Sequence, residues 1–108
     1  MRANWFITFL TALSFSALAT ELTPDQQAAK TQGLVFYNQF KTTLAIPKLK
    51  IAADAGDQEA QYYLGEAIVR KSKYMTSEAS AAYEASALQG NIYSMVRLSW
   101  NKNDLCVA

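Results

Sequence analysis

Residues 52–65, which read AADAGDQEAQYYLG, predict the end of one helix, a tight turn and the start of the next helix. Gly56 follows a run of small apolar residues, where a glycine with left-handed backbone commonly ends a helix. Asp57 comes directly after it, and its carboxylate can cap the amides of the following helix. From about Gln58 to Arg70, apolar residues recur at helical spacing and form one continuous face. This stretch therefore predicts two helices joined by a short turn.

The same signals recur 34 residues later. Under this shift Gly56 coincides with Gly90, and Asp57 coincides with Asn91, which is an equally good cap. The shift also pairs core positions, namely Leu49 with Tyr83, Ala53 with Ala87 and Leu64 with Leu98. A period near 34 with two helices in each unit is typical of stacked helical hairpins. The sequence therefore predicts an all-α fold, built as a short α-α hairpin solenoid.

The stretch at 52–65 resembles the Sel1-like repeat, a tetratricopeptide-like family. That family joins an A-A-x-x-G helix end to a G-[DN]-x-x-A-x-x-x-L-G helix start. The second copy matches less closely, because Ser94 stands where the family prefers alanine and Ser99 where it prefers glycine. The resemblance implies one clear repeat at about 44–76 and a second, partial repeat at about 77–108, preceded by a leading helix.

Capping signals place the other helices. Residues 23–26 (TPDQ) combine an N-cap threonine, a proline at the first helical position and a glutamine three residues after the cap. A helix is predicted from there through Phe36 and Phe40, with Phe36, Tyr37 and Phe40 as its core-facing stripe. A second helix is predicted from about Leu44 to Ala55, with Pro47 in its first turn. The remaining helices are predicted at about 58–70, from 76 or 77 to 89, and from 91 past Trp100.

The first 19 residues predict a secretory signal peptide. Met1 and Arg2 give a positive start, an apolar run of about fifteen residues begins at Trp5, and residues 17–19 (ALA) match a signal-peptidase site. A bilayer span takes about twenty residues, so an uncleaved membrane anchor is the weaker alternative. We expect export to the periplasm, no membrane span after cleavage, and a single repeat domain at 20–108.

Composition excludes several classes of function. The chain has no histidine, which removes histidine acid–base chemistry and most zinc sites. Without Arg2 nine basic residues remain, and they balance the nine acidic ones, so no nucleic-acid partner is expected. Residues 99–102 match S-x-x-K, but that chemistry needs further motifs and a far larger fold. We therefore expect neither an enzyme nor a cofactor.

Aromatic, apolar and acidic residues on one face of two predicted helices form the best candidate for a protein-binding surface. The candidate partner-binding residues are Tyr62, Glu66, Val69, Tyr93, Val96 and Trp100. Aromatic residues on the helices of a repeat protein are typical interface anchors. Burial against a neighbouring repeat is an equally good interpretation of them. The basic residues Arg70, Lys71 and Lys73 are interpreted as a solvated loop cluster.

The resemblance implies a protein-binding scaffold or adaptor. Exported members of the family include periplasmic immunity proteins that neutralise type VI secretion lipase effectors, and they share a signal peptide followed by a few repeats. An immunity protein is therefore the first hypothesis, an adaptor that binds peptidoglycan or a cell-wall enzyme is the alternative, and a hydrolase ranks far behind. The single cysteine, Cys106, predicts a free thiol, a disulfide between chains, or a disulfide partner in a longer parent protein.

Overall fold

A computed structural model describes the backbone of residues 21–107 and the side chains of residues 21–100. Over these residues the chain forms five α-helices and no strand, which confirms the all-α class. The helices are α1 (Pro24–Asn38), α2 (Thr42–Asp54), α3 (Gln58–Ser72), α4 (Ser77–Leu88) and α5 (Ile92–Val107). Each helix packs against the next, and α1 also contacts α3. The signal peptide predicted at 1–19 and the side chain of Cys106 lie outside this description.

Side-chain caps start the helices where the sequence predicts them. Thr23 Oγ1 accepts a hydrogen bond from the Gln26 amide at 3.2 Å, and Gln26 Oε1 accepts one from the Thr23 amide at 2.9 Å. Asp57 caps α3 through a 2.9 Å bond from the Ala60 amide. Asn91 accepts from the amide three residues later at 2.8 Å, and Thr76 caps α4 at 3.0 Å. These bonds satisfy amides that the first turn of a helix leaves without a partner.

The caps also reveal that α1 shares the register of α3 and α5. Thr23, Asp57 and Asn91 lie 34 residues apart, and α1 and α3, at 24–38 and 58–72, coincide under the same shift. The sequence analysis treats α1 as a leading helix that precedes the repeats. The structure instead gives it the start and the length of a repeat helix.

Three of the four connections between helices close with the same pair of hydrogen bonds, a Schellman motif. After α2, Gly56 and the residue that follows it donate to the carbonyls of Ala53 and Ala52 at 3.0 and 3.1 Å. The same bonds follow α4 at Gly90 and α1 at Phe40. Backbone φ is +99° at Gly56, +98° at Gly90 and +61° at Phe40. The glycine stops are confirmed, and the turn after α1 uses a phenylalanine, for which this conformation costs about 1–2 kcal/mol.

Two predicted boundaries are wrong. The helix predicted through Phe40 ends at Asn38, because Phe40 adopts the left-handed conformation, and its side chain is 75% exposed rather than core-facing. The second helix begins at Thr42 and not at Leu44. Pro47 therefore lies inside the helix, past the first turn, where it leaves one carbonyl of that turn without its usual amide donor.

Glycines in α1 and α3 receive the largest buried side chains of the neighbouring helices. A Cβ atom at Gly33 would lie 2.8 Å from Leu49 Cγ, and one at Gly65 would lie 2.9 Å from the ring of Tyr83. Leu49 and Tyr83 are both fully buried and coincide under the 34-residue shift. The α1–α2 and α3–α4 pairs therefore pack by the same device, a large side chain seated on a glycine.

Polar side chains join the turn after α2 to the turn after α4. Gln58 Nε2 donates to the Gln89 carbonyl at 2.8 Å, and Gln89 Nε2 donates to the Gly56 carbonyl at 2.9 Å. The Ser86 hydroxyl donates to the Gln58 carbonyl at 2.9 Å. These bonds satisfy backbone carbonyls at the helix ends and fix one turn above the next.

Candidate functional site

A groove of about 600 Å³ lies where α1, α3 and α5 come together, and we call it the α1–α3–α5 groove. Its walls come from α3 (Glu66, Val69, Arg70), from the connector after it (Lys73, Tyr74, Met75), and from α1, α4 and α5 (Tyr37, Tyr83, Arg97, Trp100). Tyr74 is 65% exposed and Trp100 is 55% exposed. Large aromatic side chains are therefore accessible at this groove.

Glu66 forms the polar centre of the groove. Its side chain is only 11% exposed, and its carboxylate accepts three hydrogen bonds. The Tyr83 hydroxyl donates at 2.6 Å, and the Arg97 guanidinium donates through Nε at 2.6 Å and through Nη2 at 3.0 Å. Two parallel bonds from one guanidinium are the strongest form of this ion pair. Glu66 thereby ties α3 to both α4 and α5.

The ionisable groups around Glu66 keep one charge state at physiological pH. Burial raises the pKa of Tyr83 well above its usual value, and the hydrogen bond to Glu66 adds to the effect. Burial, and then the Glu66 charge, also raise the pKa values of Tyr37 and Tyr62. The hydrogen bond to Glu66 raises the pKa of Arg97, which already lies above the physiological range. The phenols therefore stay neutral and the guanidinium stays charged.

Arg70 lies between two aromatic rings at the edge of the groove. Its Cζ atom is 3.8 Å from the ring centroid of Tyr37 and 4.7 Å from that of Phe40. Its Nη1 donates to the Tyr37 carbonyl at 2.8 Å. Such cation–π contacts hold a guanidinium in place. The interpretation of Arg70 as a solvated loop residue is therefore wrong, because it lies on α3 and packs against α1.

The structure separates the six residues that the sequence predicts as a binding surface. Three of them, Glu66, Val69 and Trp100, line the groove, whereas Tyr62, Tyr93 and Val96 do not. Tyr62 instead belongs to a row of aromatic rings, with its centroid 5.0 Å from Tyr63, 6.1 Å from Tyr83 and 5.9 Å from Tyr93. Tyr37 extends the row at the α1 end, 5.2 Å from Tyr63. Tyr93 and Val96 are exposed on α5.

Sequence reasoning missed Arg97 and Tyr37, although both are central to the groove. The signal that could have found them is the separation of contacts between successive repeats. Glu66 and Arg97 lie 31 residues apart, and Tyr37 and Arg70 lie 33 apart. A partner just short of one 34-residue period is on the equivalent helix of the next unit, close to the same height. A search for opposite charges at these separations would pair Glu66 with Arg97.

The described residues contain no cluster of three or more Cys, Asp or Glu side chains placed to hold a metal ion. None of the helices in this part of the chain is long and apolar enough to cross a membrane. No family model, no curated protein and no solved structure matches the chain.

Proposed function

We propose that this chain is a Sel1-like helical-repeat protein that binds another protein through the α1–α3–α5 groove. The solenoid assignment is supported by the recurrence of caps at Thr23, Asp57 and Asn91, by the shared Schellman turns, and by the seating of Leu49 and Tyr83 on glycines. In such folds, equivalent helices of successive units form one extended surface that binds partners.

The observation that carries the binding function is the combination of a satisfied centre with an accessible aromatic rim. Glu66 already has its partners within the chain, so the polar core of the groove needs no ligand. Tyr74, Trp100 and Phe40 are each more than half exposed around it. Tyrosine, tryptophan and arginine supply most of the energy of protein interfaces, and exposed apolar clusters of this kind mark binding sites.

We further propose that the protein works in the periplasm as an immunity protein against a secreted lipase effector. The support for this step is the signal-peptide pattern of residues 1–19 together with the Sel1-like resemblance of residues 52–65. The groove would then cover the effector's active-site entrance and exclude its substrate. An adaptor that binds peptidoglycan or a cell-wall enzyme is the alternative that the same experiment separates.

The test is affinity capture from the cell envelope with the tagged full-length chain, beside a variant that carries Tyr74→Ala and Trp100→Ala. Both side chains are largely exposed, so we expect the variant to keep the helical circular dichroism spectrum of the wild type. A protein that the wild type captures and the variant loses supports the proposal, and lipase activity in that protein supports the immunity role. Retention on purified cell walls without a protein partner would favour the adaptor. Equal capture by both chains would contradict the groove as the binding site.

A further inference from the structure

Phe40 stands in a turn whose two counterparts carry glycine. It is the left-handed residue after α1, with φ of +61°, whereas Gly56 and Gly90 hold that position after α2 and α4. A side chain is disfavoured there, because its Cβ atom approaches the carbonyl oxygen that follows. Burial does not compensate for this cost, since the ring is 75% exposed. A strained and exposed aromatic residue points to a role in binding.

The ring of Phe40 contacts the guanidinium of Arg70, which stacks on Tyr37 on its way to the groove. One N–H of Arg70 donates to the Tyr37 carbonyl at 2.8 Å. A guanidinium has five N–H donors, so others are left for an acceptor from outside. Because the stacking already orders Arg70, binding such an acceptor costs little side-chain entropy.

The groove beside these residues carries an excess of positive charge. Glu66 is the one acidic residue among its walls, and Arg97 already neutralises it. Arg70 and Lys73 form no ion pair with the carboxylates of the described residues. An anionic partner would therefore meet two uncompensated cations next to an exposed aromatic ring.

We propose that the α1–α3–α5 groove receives an acidic segment of the partner protein, with a carboxylate on Arg70 and Lys73 and a neighbouring apolar side chain on Phe40. This inference rests on the proposed function and adds the chemistry of the partner to it. A polypeptide fits better than an anionic membrane, because these cations line a concave groove of about 600 Å³ rather than a flat face.

The test uses the full chain and two short blocked peptides, one alternating glutamate with phenylalanine and the other carrying glutamine in place of each glutamate. Fluorescence anisotropy at low salt measures the two affinities. We expect the acidic peptide to bind at least tenfold more tightly, and its affinity to fall as salt rises. Arg70→Gln and Lys73→Gln should each weaken its binding roughly tenfold, as expected for the loss of a charge-assisted hydrogen bond. Lys50→Gln is the matched control, since Lys50 pairs with Asp54 outside the groove.

Phe40→Gly separates recognition from folding. It restores the residue that the equivalent turns carry, so the resistance to urea should stay the same or rise, whereas the affinity for the acidic peptide should fall about tenfold. Equal affinity for both peptides, or full binding by Arg70→Gln and Phe40→Gly, would overturn the inference. Preference for anionic lipid vesicles over the acidic peptide would overturn it as well. If envelope capture succeeds and these variants do not affect it, the proposed function stands and the acidic subsite falls.

Discussion

Glu66 of α3 and Arg97 of α5 form a two-point ion pair across 31 residues of sequence, at 2.6 and 3.0 Å. The pair joins equivalent helices of successive repeats on the side opposite the tight turns. The Tyr83 hydroxyl completes it from α4, so three helices meet at a single carboxylate. This geometry defines the centre of the groove and, at the same time, holds α5 in place.

Glu66→Ala should destabilise the protein by about 2–3 kcal/mol. The change leaves the Tyr83 hydroxyl and the Arg97 guanidinium without their acceptor in a half-buried site, and the loss of one partner from such a pair is costly. Urea unfolding followed by circular dichroism measures the loss. Lys50→Ala is the control, because its pair with Asp54 is largely exposed and should contribute less than about 0.5 kcal/mol. Equal effects of the two changes would show that the Glu66 pair contributes no more than a surface pair.

Two buried serines should respond in opposite directions to alanine. Ser94 Oγ is buried without a hydrogen-bond partner, and α3 has Ala60 at the equivalent position. Ser94→Ala should therefore raise the free energy of unfolding by about 1 kcal/mol. Ser86 Oγ, equally buried, donates to the Gln58 carbonyl at 2.9 Å, so Ser86→Ala should lower it by about 1 kcal/mol. Thermal unfolding of both variants checks the pair, and a loss of stability in Ser94→Ala would contradict the first prediction.

The helices and turns follow from local signals that the sequence contains. Caps at Thr23, Asp57 and Asn91 and the stops at Gly56 and Gly90 act within a few residues, so their chemistry can be recognised without tertiary information. The turn after α1 could not be recognised in this way. Phe40 has no preference for left-handed backbone, and the surrounding packing imposes that conformation on it.

The candidate site was predictable only in part. Glu66, Val69 and Trp100 were found because they lie on the helix face that a hairpin repeat exposes. The rotation of each helix, which takes Tyr93 and Val96 out of the groove, depends on how α5 packs on α4. That packing is set by contacts between distant residues, and helical periodicity on one element carries no information about it.

Alkaline pH should destabilise the protein through Tyr83. Burial and the hydrogen bond to Glu66 raise its pKa above the ordinary tyrosine value of 10.0 in the folded chain. The unfolded phenol therefore ionises first, so the stabilising contribution is complete below about pH 10 and is lost as the pH rises further. Each such phenol should add about 1.4 kcal/mol per pH unit to the decline.

Tyr83→Phe tests this assignment. The variant should be about 1–2 kcal/mol less stable at neutral pH, because it loses the bond to Glu66. Its stability should then decline less steeply than that of the wild type above pH 10. Urea unfolding at neutral and at alkaline pH gives both quantities. Parallel declines in the two proteins would assign the alkaline loss to other groups, such as Tyr37 and Tyr62, whose pKa values are also raised by burial.

Gly33→Ala should destabilise the protein even though alanine favours helix by about 1 kcal/mol over glycine. The added Cβ atom would lie 2.8 Å from Leu49 Cγ and 3.0 Å from the Leu49 backbone nitrogen, so α1 and α2 would have to separate. Overpacking of this kind costs about 1–3 kcal/mol, which exceeds the gain in helix propensity. In a double-mutant cycle, Gly33→Ala should cost less on a Leu49→Ala background, because the side chain that blocks the new methyl group is gone. Additive effects would show that the contact with the Leu49 backbone, and not with its side chain, determines the spacing of the two helices.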